Sequence, residues 1–500
     1  MSFEALVASA VKLHSDGRFT EAEVIYRQAL AQQPRAIGVL TSLGNTLKAQ
    51  RRFDEAVAAH LEALALNQDF VEGWSNLGLT YQAAGRHDEA VTCIEQAVQR
   101  RPGEAGLQHN LGNALCQRGD FAAAKLACLR ALELQPRHVP AHITLATAYK
   151  ELGHNEDALA VLDQALTMQP NNPDVHWNRG LALLLEGDWA QGWQEIEWRA
   201  QIPGLDNAFR ARPVAPWNGM PEVVERGEAG SEAAVTLVAE QGLGDAIHFI
   251  RYAPLVARAG AKVRLEAPAK LNRLLRSATP VEPIDASPGP GVSAREFFAP
   301  MFSLPRLCGP APDGIVASPN YLAAEPGLTE SWGRRLGPRS GLRVGIAWQG
   351  NPQYRADARR SLALTHFIPL LRTPGVEFVS LQKGFGAEQL AGLSPDLGLR
   401  DLGGEIDNGP DAFVDTAAAL MHVDLLITSD TALPHLAAAL GREVWLLLPA
   451  VPDWRWGRRG TRTPWYPSMT LWRQRHPGQW SDVFARVASA LAERVGALRP

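Results

Sequence analysis

Two short stretches hold the residue types from which chemistry could be built. The first is EQGLGDAIHF, residues 240–249. An apolar run (Val235, Leu237, Val238) meets a glycine turn at Gly242 and Gly244, and a helical pattern follows. Asp245 stands where that helix opens, the place a phosphate takes in a phosphate-binding strand–loop–helix. Ile247 replaces the third glycine of the dinucleotide fingerprint, and the stretch is not a Walker A loop. A carboxylate there is favoured in its ionised form by the helix dipole and repels a phosphate. It can take a proton from an acceptor hydroxyl or amide, or it can simply cap the helix. Gln241, Gly242, Gly244 and His248 would border such an acceptor site, a buried core role being the alternative for His248. The second stretch is LLITSDTALPHLAAALG, residues 425–441. A strand pattern ends in Ser429, Asp430 and Thr431, whose polar atoms and free N–H groups suit a diphosphate or sugar hydroxyls, with capping as the alternative for Asp430.

Further candidates follow other apolar runs. Asn351, Arg355, Arg359 and Arg360 lie in GNPQYRADARRSLAL, and three of them could neutralise a diphosphate. Gln382, Lys383 and Glu388 lie in VSLQKGFGAEQL, and Lys383 is the only lysine after Lys270. They would contact donor phosphates, base or ribose; a chance lysine on a solvated loop is the alternative. Trp454 and Arg455 open a tryptophan- and arginine-rich tail that could stack on a base or sugar.

Positioning these residues requires parallel strands with ligand loops at their carboxyl ends. Short apolar runs predict strands at 235–239, 262–266, 343–348, 377–381, 424–428 and 444–448. Helices are predicted near 246–258, 364–371, 412–421, 435–440 and 480–495. The Pro- and Gly-rich stretch 280–341 is where the chain is expected to cross between two α/β halves.

The first two fifths repeat every 34 residues. Glycine recurs at Gly44, Gly78, Gly112 and Gly180, and a second series runs Gly17, Gly85, Gly119, Gly153 and Gly187. Alanine recurs at Ala22, Ala56, Ala90, Ala124 and Ala158, and proline closes units at Pro34, Pro102, Pro136 and Pro170. Small residues let antiparallel helices approach, and the second glycine series ends the first helix of each pair. The pattern resembles the tetratricopeptide repeat, which implies an all-α superhelix with a concave groove for a protein or peptide. Asn45, Asn76, Asn110 and Asn113 would suit an extended peptide; a dimerisation or spacer arm is the alternative. Trp177, Trp189, Trp193 and Trp198 crowd the last unit, which predicts that it packs on a following domain.

The GDAIH loop after a strand, paired with SDTALPHLAAALG, resembles glycosyltransferase family 9, which includes the heptosyltransferases. That resemblance implies, after the repeat superhelix at 1–206, a GT-B fold with an acceptor-side Rossmann-like half at 207–335 and a nucleotide-sugar half at 336–500. It implies Asp245 as general base, with Asp430, Thr431 and His435 lining the nucleotide-sugar site. Ala432 replaces a glycine of the family pattern, and the lysine–Trp–Pro element expected after GIAW is absent. The layout is similar to repeat-bearing protein O-glycosyltransferases, including bacterial enzymes that modify flagellin. GT-B enzymes generally need no metal or cofactor, and the sequence has no D-x-D pair or H-E-x-x-H.

A net charge of −4 gives no electrostatic case for nucleic acid or an anionic membrane. The four cysteines lack metal spacing. No signal peptide or membrane span is read, so a cytoplasmic protein is expected. The expected activity is transfer from a nucleotide sugar to a protein hydroxyl recruited by the repeats, with room for homo-oligomerisation. The alternatives are a non-catalytic repeat adaptor and a glycan-directed transferase.

Overall fold

The computed structural model describes all residues except 210–211, 213, 220–232, 259, 279–280, 285–295, 310–319, 354–356 and 498–500. The chain divides into two compact units, Met1–Asn178 and Arg179–Pro500.

The repeat region is built of antiparallel helix pairs. They are α1 (Phe3–Ser15) with α2 (Phe19–Gln32), α3 (Ile37–Ala49) with α4 (Phe53–Leu66), and α5 (Val71–Ala83) with α6 (His87–Arg100). Next come α7 (Ala105–Arg118) with α8 (Phe121–Leu134), and α9 (Val139–Glu151) with α10 (Asn155–Met168). The boundary between the units falls within α11 (Pro173–Glu186), and α12 (Trp189–Ile196) belongs to the second. The first glycine series is a contact series. A Cβ on Gly44, Gly78 or Gly112 would collide with His60, Ile94 or Cys128 respectively on the partner helix.

The second series is conformational. Gly17, Gly85, Gly119 and Gly153 adopt left-handed φ values of 74°, 76°, 99° and 83°. The slot between the first two is filled by Arg51, at φ 63°. An L side chain in that conformation costs on the order of 1 kcal/mol, and glycine does not incur the penalty. Arg51→Gly is therefore expected to raise the stability of the first unit by about 0.5–1 kcal/mol in urea unfolding, even though it removes a side chain.

His60 is the second irregularity. It is fully buried, and neither ring nitrogen has a hydrogen-bond partner. Burial, with a smaller contribution from Lys48, pulls its pKa down to about 4. The folded unit thus takes up fewer protons than the unfolded chain between about pH 6.5 and 4, and this contribution to stability is lost as pH falls through that window. The loss is about 3 kcal/mol at 1.36 kcal/mol per unit. The register places Ile94 and Leu162, both buried, at the equivalent position of later repeats. His60→Ile is expected to stabilise the unit by about 1–3 kcal/mol at pH 7, the cost of a buried unpaired polar group. It should also flatten the acid limb of a stability–pH curve.

The second unit holds two all-parallel sheets. Its strands are β1 (Ala215–Pro216), β2 (Ala234–Val238), β3 (Lys262–Glu266), β4 (Val281–Ile284) and β5 (Glu296–Pro300), in the order β1-β5-β2-β3-β4. The other sheet contains β6 (Leu342–Ala347), β7 (Val376–Ser380), β8 (Arg400–Asp401), β9 (Leu425–Ser429), β10 (Glu443–Leu448) and β11 (Met469–Arg473). Its order is β11-β10-β9-β6-β7-β8. An all-parallel sheet is covered on both faces, hence the continuous apolar runs. Val344, Ile346, Leu425, Ile427 and Leu447 share one core with Phe367, Phe484, Val487 and Leu491, the last three from the carboxyl-terminal helix Trp480–Ala497. Strand order reverses between β2 and β5 in one sheet and between β6 and β9 in the other, and such reversals open ligand crevices at the strands' carboxyl ends.

Within the second unit, the tryptophans of α12 pack against residues of both α/β halves. Trp193 is buried, edge-on to Trp454, Phe302 and Phe249 at 5.1, 5.5 and 6.2 Å, and Trp189 packs edge-on to Trp465 at 5.3 Å. Arg199 lies fully buried just beyond, with every guanidinium nitrogen engaged. It donates to both carboxylate oxygens of Glu240 (3.0 and 2.8 Å), to Ser303 Oγ (2.8 Å), to the Ile196 carbonyl (3.1 Å) and to Glu197 (3.0 Å). Among the described residues, no helix is long and apolar enough to cross a membrane.

Candidate functional site

The two sequence stretches meet. After β2 the chain passes Gln241, a non-glycine residue at φ 64°, and enters the 243–249 helix, whose first turn contains Asp245. After β9 it passes Asp430 and Thr431 into the 432–439 helix, where Thr431 is the N-cap. The two helix starts abut. A Cβ on Gly244 would lie 3.3 Å from Ala432 Cα and 3.5 Å from His435 Cδ2. Ala432 is therefore accommodated by a glycine across the gap. Gly350, after β6, closes the third side, where a Cβ would meet Asp357, Arg360 and Thr431.

Charges are concentrated here. Asp245 Oδ2 accepts from the Gly242 N–H at 2.9 Å, so the capping role is real. Its Oδ1 accepts a short hydrogen bond from Arg455 Nη2, and 20% of its side chain remains exposed. Arg455 also binds Asp453 Oδ1 at 2.8 Å. Burial raises the Asp245 pKa, against the opposing charge of Arg455. Asp430 is buried, and its Oδ2 accepts from the Trp456 indole N–H at 2.9 Å. Burial, then the charge of Asp453, pushes its pKa up to about 6, opposed by Arg360 and Arg455. Asp357 is buried and accepts from Ser361 Oγ (2.7 Å) and Arg360 Nε (3.1 Å).

The raised Asp430 pKa has a stability consequence. The folded state holds that proton up to about pH 6 while the unfolded chain releases it near 3.8, so stability is lost as pH rises through that window. Asp430→Asn keeps an acceptor for Trp456 and removes the buried charge. It is expected to raise the unfolding free energy by roughly 2–3 kcal/mol at pH 8 and to change it little at pH 4.

Behind the helix starts lies a buried cluster. Tyr466 Oη lies 2.9 Å from His248 Nδ1, 2.9 Å from His435 Nδ1 and 3.2 Å from Tyr321 Oη. His248 is fully buried, which assigns it to this core and takes it out of an acceptor-lining position. His435 stacks on Trp456 at 5.3 Å.

Other sequence candidates are used structurally. Gln382 is buried; its Oε1 accepts from the Trp348 and Gln349 N–H groups, and its Nε2 donates to the Gln349 and Phe385 carbonyls. All its hydrogen-bonding capacity serves the backbone after β6 and β7, leaving none for a ligand. Lys383 Nζ donates to the Ile406 and Gly403 carbonyls and to Asn408 Oδ1, tying down the 403–408 loop with all three of its protons. Trp454, expected to stack on a ligand, is instead buried among Trp193, Phe302 and Trp465. Asn351, Arg359 and Glu388 are exposed, and Asn351 Oδ1 caps the Gln353 N–H. Arg355 lies outside the described residues. Ser429 is buried with no hydrogen-bond partner for its hydroxyl. Trp456, from the tryptophan- and arginine-rich tail, joins the site, and Asp453, Tyr466, Asp357 and Arg251 complete it without having been read from the sequence. Among the described residues, no group of three His, Cys, Asp or Glu side chains is arranged to hold a metal ion.

Comparison with known proteins establishes the amino-terminal part. The family described as "TPR repeat" matches residues 44–85 and 146–187, and "Tetratricopeptide repeat" matches 75–139 and 127–160. The amino-terminal region thus consists of tetratricopeptide repeats, and the remainder is α/β with parallel sheets. The chain is 28% identical over 433 residues to Protein FlbA of Caulobacter vibrioides, covering 78% of this chain and 68% of that protein. That share exceeds what the repeats can supply, so the likeness extends into the α/β region. The tetratricopeptide repeat and J domain-containing co-chaperone DNJ1 of Cryptococcus neoformans is 33% identical over 85 residues, 17% of this chain and 16% of that one. A thermophilic TPR protein from Thermus thermophilus is 22% identical with a TM-score of 0.33, covering 37% of this chain and all of that one.

Proposed function

We propose that this chain is a GT-B glycosyltransferase that moves a sugar from a nucleotide-sugar donor to an acceptor hydroxyl, the acceptor being a protein brought by the repeats. The observation that carries this reading is the meeting of two ligand-type helix starts, one with Asp245 and one with Asp430 and Thr431, at the strand-order reversals of two parallel sheets. Asp245 accepts the proton of the acceptor hydroxyl; the acceptor oxygen bonds to the sugar's anomeric carbon as the bond from that carbon to the diphosphate breaks. Arg360, Arg455 and the N–H groups opening the 432–439 helix stabilise the departing nucleotide, in place of a metal ion. Flagellin-like acceptors fall within this reading.

One observation favours the non-catalytic adaptor: Arg455 already neutralises Asp245. Calorimetric titration with UDP, GDP, ADP, CMP and their common sugar conjugates separates the two. Micromolar binding of one nucleotide, weakened at least tenfold by Arg360→Ala, supports the transferase. A folded protein that binds none of them overturns it.

A further inference from the structure

The buried cluster behind the helix starts has a hydrogen-bond direction that can be worked out from its donors. Arg251 is fully buried, comes from the first half and can only donate. Its Nη1 is used on the Trp465 carbonyl at 2.6 Å and its Nη2 on Tyr321 Oη at 3.1 Å, with the guanidinium over the rings of Tyr466 (4.3 Å) and Tyr321 (4.8 Å). Accepting from a guanidinium polarises the Tyr321 hydroxyl and makes it the stronger donor of the two phenols, so its proton is directed to Tyr466 Oη at 3.2 Å. Tyr466 has one proton to give and two imidazole Nδ1 atoms at 2.9 Å to serve. One histidine must accept from it and the other must donate to it.

His248 Nε2 decides which. It is buried with no partner. Placing the His248 proton there would strand an N–H in the core, which is rarer in proteins than an under-used acceptor. The proton therefore sits on Nδ1 and is donated to Tyr466 Oη. The hydroxyl now accepts twice, from Tyr321 and His248, and gives its proton to His435 Nδ1, which saturates a phenol. His435 is left with its proton on Nε2. That atom lies on the ring edge whose neighbour Cδ2 faces Gly244 at the start of the 243–249 helix.

We propose that Arg251, Tyr321 and Tyr466 form a one-way hydrogen-bond chain that fixes His435 as the neutral Nε2–H tautomer, a permanent donor aimed at the junction of the two helix starts. Tyr466 is thus a positioning residue. On the proposed transferase reading, on which this functional part rests, the recipient of the Nε2–H is an oxygen of the donor's diphosphate or sugar. The charged neighbours agree with a neutral ring. Arg251, His435 and Arg455 face His248, while Arg455, Arg251 and Arg360 face His435, and burial with these charges holds both imidazoles well below the usual histidine range.

The test is proton–nitrogen correlation spectroscopy on the full chain with nitrogen-15 histidine, the two signals being assigned by their loss in His248→Gln and His435→Gln. The expected result is one Nδ1–H ring at His248 and one Nε2–H ring at His435, neither titrating between about pH 5.5 and 8.5. In Tyr466→Phe both rings should relax to a tautomer mixture while the unfolding midpoint confirms a folded chain. Turnover should fall by up to about 10²-fold with the donor KM little changed. An Nε2–H signal at His248, an Nδ1–H signal at His435, or a cationic ring in that pH range overturns the chain whatever the activity. If the tautomers are as stated but no nucleotide sugar is turned over, the hydrogen-bond chain stands and the transferase reading falls.

Discussion

Replacing Arg199 with methionine is expected to lower the stability of the second unit by about 3–5 kcal/mol, the usual cost of stripping the partner from a buried charge. The guanidinium is wholly enclosed and meets Glu240 through two parallel hydrogen bonds, and the Glu240 side chain is only 5% exposed. Without the arginine, the carboxylate keeps the Phe302 N–H at 2.9 Å but loses its counter-charge. Glu240 stands directly before Gln241 and the Asp245 turn, so the same substitution should loosen the loop that carries the candidate base. Tryptophan fluorescence in urea reports the transition, since Trp189, Trp193, Trp454 and Trp465 pack around this junction. The double variant Arg199→Met, Glu240→Leu should recover most of the loss, because two matched apolar side chains leave no buried charge behind. A single variant within about 1 kcal/mol of the parent would mean that water reaches the pair.

The repeat was legible because its constraints are local. A contact glycine and a left-handed glycine recur at fixed spacing, and each acts within one helix pair. The strands predicted at 235–239, 343–348, 377–381, 424–428 and 444–448 lie within a residue of those observed at either end, and β3 coincides, since buried parallel strands read as continuous apolar runs. Two predicted helices are broken instead. The 246–258 pattern splits at residues 250–252, and the 364–371 pattern divides at 367–368. Pro254 and Pro369 follow those breaks, each lacking an N–H and crowding the carbonyl four residues back. Strand β5 was missed although it sits beside β2 within its sheet, because its five residues are embedded in the Pro- and Gly-rich stretch read as a crossing. Asp245 and Asp430 stood out at the ends of strands, and Arg455 and Trp456 in a tryptophan- and arginine-rich tail, whereas Tyr466 reaches the site from an aperiodic segment. Tyr466 meets His248 across 218 residues of chain, a pairing no local pattern encodes. Lys383 misled for the opposite reason: its rarity drew notice, yet rarity says nothing about geometry, and its three acceptors all lie in its own half.

Asp245→Asn is expected to lower kcat for sugar transfer by about 10²–10⁴-fold, the range a general base contributes, with donor affinity nearly unchanged. The amide preserves the shape of the turn, and its oxygen can still accept from the Gly242 N–H, so the loop should hold its place. What disappears is the proton acceptor and the negative partner of Arg455. Arg455 would remain paired with Asp453 at 2.8 Å, which keeps it at the site to meet a diphosphate. The comparison with Arg455→Lys is decisive, because a lysine retains charge but cannot bridge two carboxylates with a planar fork. If Asp245 is the base, the asparagine variant loses turnover and keeps binding, while the lysine variant weakens binding first. If Asp245 only caps the helix, the asparagine variant should bind and turn over like the parent, since asparagine caps about as well as aspartate, and only the lysine variant should lose binding. Calorimetry for the donor and single-turnover transfer for the chemistry read the two steps separately. A cap-only outcome would make Asp430, with its pKa raised to about 6, the next of the site's carboxylates to examine as the base.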